Sequence, residues 1–452
     1  MSQKPAMAKR PSSNGRGVSP PPSKRKQQST TTSKAVASFF TPLSKKEPEQ
    51  MTWRTVHDTL LIGRHTPPSA ASVAQTRAKQ KIAAFDLDST LITPASGKKF
   101  GHDATDWKWW DSCVPTTLRR LHKEGYLVAV VSNQGGISLK PDPKKAKSDL
   151  KRLADFKAKV SAVFKQLDLP VPVYAATGHD RYRKPRVGMW EELLEDYDLE
   201  AADAVDLENS FFVGDAGGRE AVPGGASKDH SCVDRDFAAN SGIQFHTPEE
   251  YFLHEDSRPF VREFDPTIFL QQEAAKSTTA IPKTLSKANP LDIVLFCGSP
   301  GAGKSSFYWR HLQPLGYGRV NQDILKTREK CLKSATALVE EGTSVVVDNT
   351  NADPETRADW VALAKKLDVP IRSVLFTAPT KLCEHNDIVR ALNLGPDTNP
   401  EQRLLLPKSA FFGFMKRFRE PKLAEGFQDI VKVDFEFQGS EEQKALWSRF
   451  WL

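Results

Sequence analysis

Between residues 81 and 215, short and wholly apolar runs alternate with stretches whose apolar positions recur at helical spacing. KIAAFD (81–86), LVAVVS (127–132), VPVYA (171–175) and SFFVGD (210–215) predict buried strands, and LADFKAKVSAVFKQL (153–167) predicts a helix. Strands without a polar face, separated by helices, predict a parallel sheet covered on both sides. A second set begins with DIVLF (292–296) and continues with the buried strand in SVVVDNTN (344–351), after which Asp353 and Pro354 have the residue types that open a helix. Between the sets, QQEAAKSTTAIPKTLSKANP (271–290) has few large apolar residues and ends in proline, as a linker does. The predicted fold class is α/β, with two parallel-sheet domains behind a disordered tail. Residues 1–50 form the basic tail, 52–265 the first domain, 266–287 the linker and 288–452 the second domain.

Composition alters this picture chiefly at the N-terminus. The chain of 452 residues is 39% hydrophobic, enough for two cores, and no apolar run has the length of a membrane span. The five cysteines are scattered without a CxxC pair, which suits reduced thiols inside a cell and argues against structural zinc. The net charge of +8 is carried by residues 1–50, which hold ten Lys or Arg and two Glu, so the remainder is neutral. Any polyanion on the folded part must therefore meet local patches and not a global basic field. The tail is too polar to offset its ordering entropy, so disorder is expected. Lys24, Arg25 and Lys26 form a short basic cluster of the kind nuclear import receptors read, which predicts nuclear localisation. Val36, Phe39 and Phe40 would form an apolar plug on one helical turn. The plug resembles sliding-clamp-binding peptides, with Ser33 where those usually carry Gln.

Polar residues cluster where ligands bind open α/β sheets, at the carboxyl ends of strands. Asp86 closes the first strand and Asp88 follows two residues later. A carboxylate attacks phosphorus only if the repulsion between two anions is cancelled, which calls for Mg²⁺ at the same place. Asp86 and Asp88 are the expected metal-side acids, completed by Asp215 at another strand end. Ser132 can donate its hydroxyl to a phosphate oxygen, and Lys184 supplies positive charge to the transferring group. Asp88 would protonate the leaving alcohol and then activate water against an aspartyl-phosphate on Asp86. Two acids at a strand end can merely cap a turn. The ordered set Asp86, Asp88, Ser132, Lys184 and Asp215 resembles the four motifs of haloacid-dehalogenase-like phosphatases. The 43 residues between Asp88 and Ser132 and the 51 between Ser132 and Lys184 are consumed by the sheet's own elements. Little remains to build a cap, and an open site suits a phosphate at the end of a macromolecule. Trp107, Trp109 and Trp110 read as core packing in preference to base stacking. Arg183 and Arg186 flank Lys184 as candidate contacts to a nucleic-acid strand, with ordinary surface arginines as the alternative.

In the second domain Gly298, Ser299, Pro300, Gly301, Ala302, Gly303, Lys304 and Ser305 match GxxxxGK[ST] between a strand and a helix. Backbone N–H groups of such a loop wrap phosphates, Lys304 reaches the transferred group and Ser305 holds Mg²⁺, with ATP as the phosphate donor. Asp323 could accept the proton of an attacking hydroxyl, and Asp348 is a metal-side acid at a strand end. Arg390 is spaced to reach the phosphates from a lid helix, or else lies on a solvated face.

The combination resembles the eukaryotic, fungal-type bifunctional polynucleotide kinase/3′-phosphatases over roughly residues 80–452. FVGDAGGR, DHSCVDRDFAANSGI, GSPGAGKSSF, VVDNTN and PKLAEGF carry the resemblance beyond the generic motifs. It implies removal of 3′-phosphates and phosphorylation of 5′-hydroxyls at DNA ends by a monomer, with Asp323 as the general base. Animal members open with a forkhead-associated domain that the polar tail here does not resemble, and Gln322 stands where they carry Arg. A bifunctional metabolite enzyme, an RNA-repair enzyme and a catalytically dead scaffold are the competing expectations.

Overall fold

The computed structural model describes residues 50–67, 79–140, 142–225, 227–276, 286–393, 395 and 399–452. The tail, with its basic cluster and the Val36–Phe39–Phe40 plug, lies outside them. Strands β1 (Met51–Val56), β2 (Leu60–His65), β3 (Lys81–Phe85), the two-residue β4 (Ile92–Thr93) and β5 (Lys108–Trp109), then β6 (Tyr126–Asn133), β7 (Pro172–Ala176), β8 (Phe211–Val213) and β9 (Gln244–His246) belong to the first domain. Its helices are α1 (Val114–Lys123), α2 (Ala146–Leu167), α3 (Gly188–Asp196), α4 (Val233–Ser241) and α5 (Pro248–Leu253). The main sheet runs β1-β2-β7-β6-β3-β8-β9. From β7 to β9 the pairings are parallel, whereas β1 and β2 enter antiparallel, an edge that the all-parallel expectation did not contain.

Strand geometry divides the apolar runs between two cores, because successive side chains point to opposite faces. Ala83, Phe85, Val128 and Val130 face one cluster, and Ile82, Ala84, Ala129 and Val131 face the other. Trp107, Trp109 and Trp110 are half-buried against the first cluster, as core packing predicts. The segment from Asp88 to Ser132 forms the β4–β5 ribbon and α1, and that from Ser132 to Lys184 holds α2 and β7.

The stretch expected to be a linker holds a helix, α6 (Thr267–Lys276), whose Phe269 and Leu270 pack with Phe264 against buried Leu382 and Trp447. The second domain is a five-stranded parallel sheet, β11-β12-β10-β13-β14, built from β10 (Ile293–Cys297), β11 (Gly318–Val320), β12 (Val345–Val347), β13 (Ile371–Phe376) and β14 (Ile430–Val433). Its helices are α7 (Lys304–Phe307), α8 (Gln322–Leu325), α9 (Arg328–Glu340), α10 (Pro354–Lys366), α11 (Thr380–Leu392), α12 (Lys408–Arg417) and α13 (Glu441–Trp447).

Candidate active sites

The first site forms at the carboxyl ends of β3, β6 and β8. Asp86 continues β3, and its backbone N–H bonds the Val213 carbonyl at 2.9 Å, which fixes it beside the loop that carries Asp215. Lys184 leaves β7 by a loop and is fully enclosed. Its Nζ donates to Asp86 at 2.8 Å and to Asp234 at 2.7 Å. Asn133 holds the Lys184 backbone from both sides, accepting from its N–H at 2.9 Å and donating to its carbonyl at 3.1 Å. The ammonium is thus placed by side chain and main chain together.

Asp234, in the first turn of α4, is the acid that sequence reasoning missed. It accepts from the Ala216 N–H at 3.0 Å, and a Cβ on Gly214 would lie 2.4 Å from its carboxylate, so only glycine there admits the approach. Oxygens of Asp86, Asp215 and Asp234 come within 4.8 Å of one another. Burial, then the charges of Asp86 and Asp234, push the Asp215 carboxyl up to about 8. Three acids facing one lysine leave negative charge uncompensated, so the group fits a divalent cation. Asp88, expected as a ligand too, keeps its carboxylate out of this trio. Two residues beyond Asp86, it accepts from Gln134 Nε2 at 2.7 Å, and the same amide donates to Ser132 Oγ at 3.1 Å. Asp88 is itself exposed, yet desolvation by the protein around its carboxylate, then the Asp86 charge, raises its pKa, as a proton donor needs.

The two flanking arginines differ. Arg186 is buried and donates to the carbonyls of His179 (2.9 Å), Asp180 (2.7 Å) and Trp451 (3.2 Å), which removes it from contact with a strand and corrects the expectation for it. Arg183 lies against Gly135, with one terminal nitrogen shielded from water and without a partner among the described residues.

The second site begins where β10 runs into the Gly298–Ser305 loop and α7. Gly301 has φ of +75°, and a Cβ there would sit 2.1 Å from the Cys383 carbonyl, so the loop packs onto α11 only as glycine. Lys304 Nζ donates to the carbonyls of Gly298 (3.0 Å) and Ser299 (2.6 Å), and burial pulls its pKa down. A buried ammonium held by carbonyls of a glycine-rich loop fits an anionic, phosphate-bearing ligand. Ser305 Oγ donates to Asp348 at 2.8 Å, a pair suited to a phosphate-bound cation.

Arg319, on β11 and absent from the sequence-based set, also donates to Asp348, at 2.8 and 2.6 Å, and to Ser305 Oγ at 3.0 Å. Asp323 follows the N-cap of α8, Asn321, whose side chain accepts the Asp323 N–H at 2.8 Å and donates to the Asp348 carbonyl at 2.7 Å. The Asp323 carboxylate is exposed, 3.6 Å from Arg403, another residue the sequence did not single out. Arg390 is paired with Asp387 and feels the charge of Asp323, while its Nε is buried without a partner among the described residues, so it is not a solvated face. On the Gln322 side a cleft of about 490 Å³ opens, lined among others by Arg328, Asn349, Thr356 and Arg417.

These two sites define a two-domain enzyme class, a phosphatase of haloacid-dehalogenase type joined to a P-loop kinase. Residues 81–252 match the family model for polynucleotide kinase 3 phosphatase, and residues 293–330 and 326–413 match that for an AAA domain. A bifunctional polynucleotide phosphatase/kinase of Schizosaccharomyces pombe is 36% identical over 85% of this chain and 85% of its own. An Acanthamoeba polyphaga mimivirus protein, described provisionally by the same name, is 31% identical over 82% of this chain and 89% of its own. A polynucleotide 3′-phosphatase of Arabidopsis thaliana is 33% identical over 40% of this chain and 25% of its own. The chain belongs to the family of bifunctional polynucleotide phosphatase/kinases.

Proposed function

We propose that this protein heals DNA ends in the nucleus, clearing 3′-phosphates at the Asp86 site and phosphorylating 5′-hydroxyls from ATP at the Lys304 site. The two reactions do not oppose each other, because they act on different ends of a break and leave the pair a ligase joins. The observation that carries this reading is that one chain holds both an acid–lysine cluster suited to cleaving a phosphate ester and a phosphate-cradling loop suited to transfer.

In the first site Asp86 attacks phosphorus while Lys184 Nζ, 2.8 Å away, and the Ser132 hydroxyl balance charge on the transferring group. Asp88 gives its proton to the departing 3′-oxygen, then takes one from the water that opens the aspartyl-phosphate on Asp86. Mg²⁺ held by Asp86, Asp215 and Asp234 would neutralise the approach of two anions. In the second site Asp323 takes the proton of the 5′-hydroxyl, and Lys304 and Arg390 receive charge on the transferred phosphoryl group. Ser305 and Asp348 would hold the cation that accompanies ATP. Arg183 and the residues of the Gln322 cleft are the proposed strand contacts. The protein acts as a monomer, with Val36, Phe39 and Phe40 as a clamp-binding element.

The test is a nicked duplex bearing a 3′-phosphate and a 5′-hydroxyl, incubated with Mg²⁺ and labelled ATP. Asp86→Asn should lose the 3′ reaction by roughly 10⁴-fold or more and keep the 5′ reaction, and Lys304→Ala should do the reverse. Wild-type protein that alters neither end yet cleaves small phosphate esters would show the substrate to be a metabolite. A matched RNA nick turned over faster than DNA would move the function to RNA repair.

A further inference from the structure

After α13 the chain turns and lays its last residues on the first domain. Asn240, near the end of α4, uses its whole amide there. Its Oδ1 accepts the Phe450 N–H at 3.0 Å, and its Nδ2 donates to the Phe450 carbonyl at 2.7 Å and to the Pro185 carbonyl at 2.8 Å. Beside it the buried Arg186 donates to the Trp451 carbonyl at 3.2 Å, and Arg262 lies over the Phe450 ring at 4.6 Å. Trp451 is itself buried. The backbone of Phe450–Trp451, part of the second domain, therefore closes on Pro185 and Arg186, the two residues after Lys184.

The same helix reaches Lys184 twice. Asp234 in the first turn of α4 grips its Nζ at 2.7 Å, and Asn240 six residues later holds the carbonyl of the next residue in the chain. Among the described residues, that carbonyl has no regular-structure partner in the sheet, so the Asn240 amide is what satisfies it. Removing the amide would leave the Pro185 carbonyl and both backbone groups of Phe450 without these partners in a partly buried place. The Lys184 loop could then relax, and a shift of about 1 Å in a reacting group can cost 10²-fold in rate.

We infer that Asn240 is a positioning residue for the phosphatase, clamping the chain's C-terminal residues onto the Lys184–Pro185–Arg186 loop, so that phosphatase turnover depends on the end of the kinase domain. The inference rests on the assignment of Lys184 to the phosphatase reaction.

The full-length protein would be assayed for both activities on one oligonucleotide as wild type, Asn240→Ala, Phe450→Ala, Lys184→Ala and a chain ending at Arg449. Asn240→Ala should lower phosphatase kcat tenfold or more, with KM and kinase kcat within twofold, and the shortened chain, which also loses the buried Trp451, should lower phosphatase kcat at least as far. Phe450→Ala keeps the backbone groups that Asn240 holds and should stay within threefold of wild type. Normal phosphatase kcat in Asn240→Ala, a change confined to KM, or equal loss of both activities with a lowered melting temperature would each overturn the inference. An active Lys184→Ala would sink the assignment of Lys184 itself, whereas an inactive Lys184→Ala beside a normal Asn240→Ala sinks only the positioning role.

Discussion

In the first domain the buried lysine bridges two carboxylates, Lys184 Nζ lying 2.8 Å from Asp86 and 2.7 Å from Asp234, whereas in the second Lys304 turns back onto two carbonyls of its own loop. The first site therefore has a surplus of acids and accepts a cation. Among the described residues the second has an ammonium without a carboxylate in hydrogen-bond contact, which suits a polyanion. The resting contacts differ as well. Lys184 touches Asp86, the proposed attacking group, while Lys304 is held by the Gly298 and Ser299 carbonyls. One chain thus pairs a lysine bridging carboxylates with a lysine held by backbone carbonyls.

The largest effect that would break this contrast is removal of the acid surplus. Asp234→Asn keeps the shape of the side chain but takes away one of the two charges on Lys184. Phosphatase kcat should fall about 10²- to 10³-fold, the range for a single preorganised electrostatic contact, while kinase kcat stays unchanged. Steady-state assays of both reactions on the same preparation check this. Loss of less than threefold would reduce Asp234 to a packing role and leave Asp86 and Asp215 as the metal acids.

A smaller effect sharpens the other half of the contrast. Arg319 places its guanidinium on Asp348 and Ser305, the groups proposed to hold the cation of ATP. It brings positive charge to the same two groups. Arg319→Ala should therefore lower the Mg²⁺ concentration for half-maximal kinase activity, by roughly five- to tenfold for a net contact of about 1 kcal/mol. The metal dependence of the phosphatase in the same variant should not move. A higher Mg²⁺ requirement, or a kinase without activity at saturating metal, would make Arg319 a substrate-binding group instead.

The residues involved show what could be read from the chain. Asp86, Asp88, Lys304 and Ser305 follow uniform apolar strands, so local pattern located them, the parallel sheet of the second domain and the parallel part of the first. Asp234 opens α4 far along the chain from Asp215, where an acid in a helix's first turn is unremarkable by itself. Only the bare Gly214 lets that helix come close enough to matter. Arg319 alternates with apolar neighbours on a three-residue strand and Arg403 lies in a loop, so neither carries a periodic signal. The antiparallel β1–β2 edge was missed because Thr52, Arg54 and Thr55 break its apolar run, and α6 because its apolar face is defined only by the Leu382–Trp447 cluster it covers. The burial of Arg186 is likewise a tertiary event, produced by a carbonyl 265 positions away.

The smallest expected effect concerns how the second domain is tied to its own C-terminus. His385 on α11 is fully buried, bonds the Trp447 carbonyl at 2.8 Å, and packs between the Phe264 ring at 5.0 Å and the Trp447 ring at 4.9 Å. Its neighbour Asn386 receives the Trp447 indole N–H at 2.8 Å and donates to the Gly301 carbonyl at 3.0 Å, so the same helix supports the phosphate loop. Burial pushes the His385 pKa down to about 4. In the unfolded chain the ring takes a proton near pH 6.5, so between about pH 6.5 and 4 the unfolded state binds a proton that the folded state refuses. Stability should be flat with respect to this group above pH 6.5 and fall as pH drops through that window, by at most about 3 kcal/mol. Urea unfolding at pH 7.5 and 5.0, followed by kinase activity, would measure the loss. His385→Phe keeps a buried ring but cannot titrate; it should be less stable than wild type at pH 7.5 for want of the Trp447 bond, yet lose less between the two pH values. An equal loss in both proteins would assign the acid sensitivity to the buried acids of the two sites and not to His385.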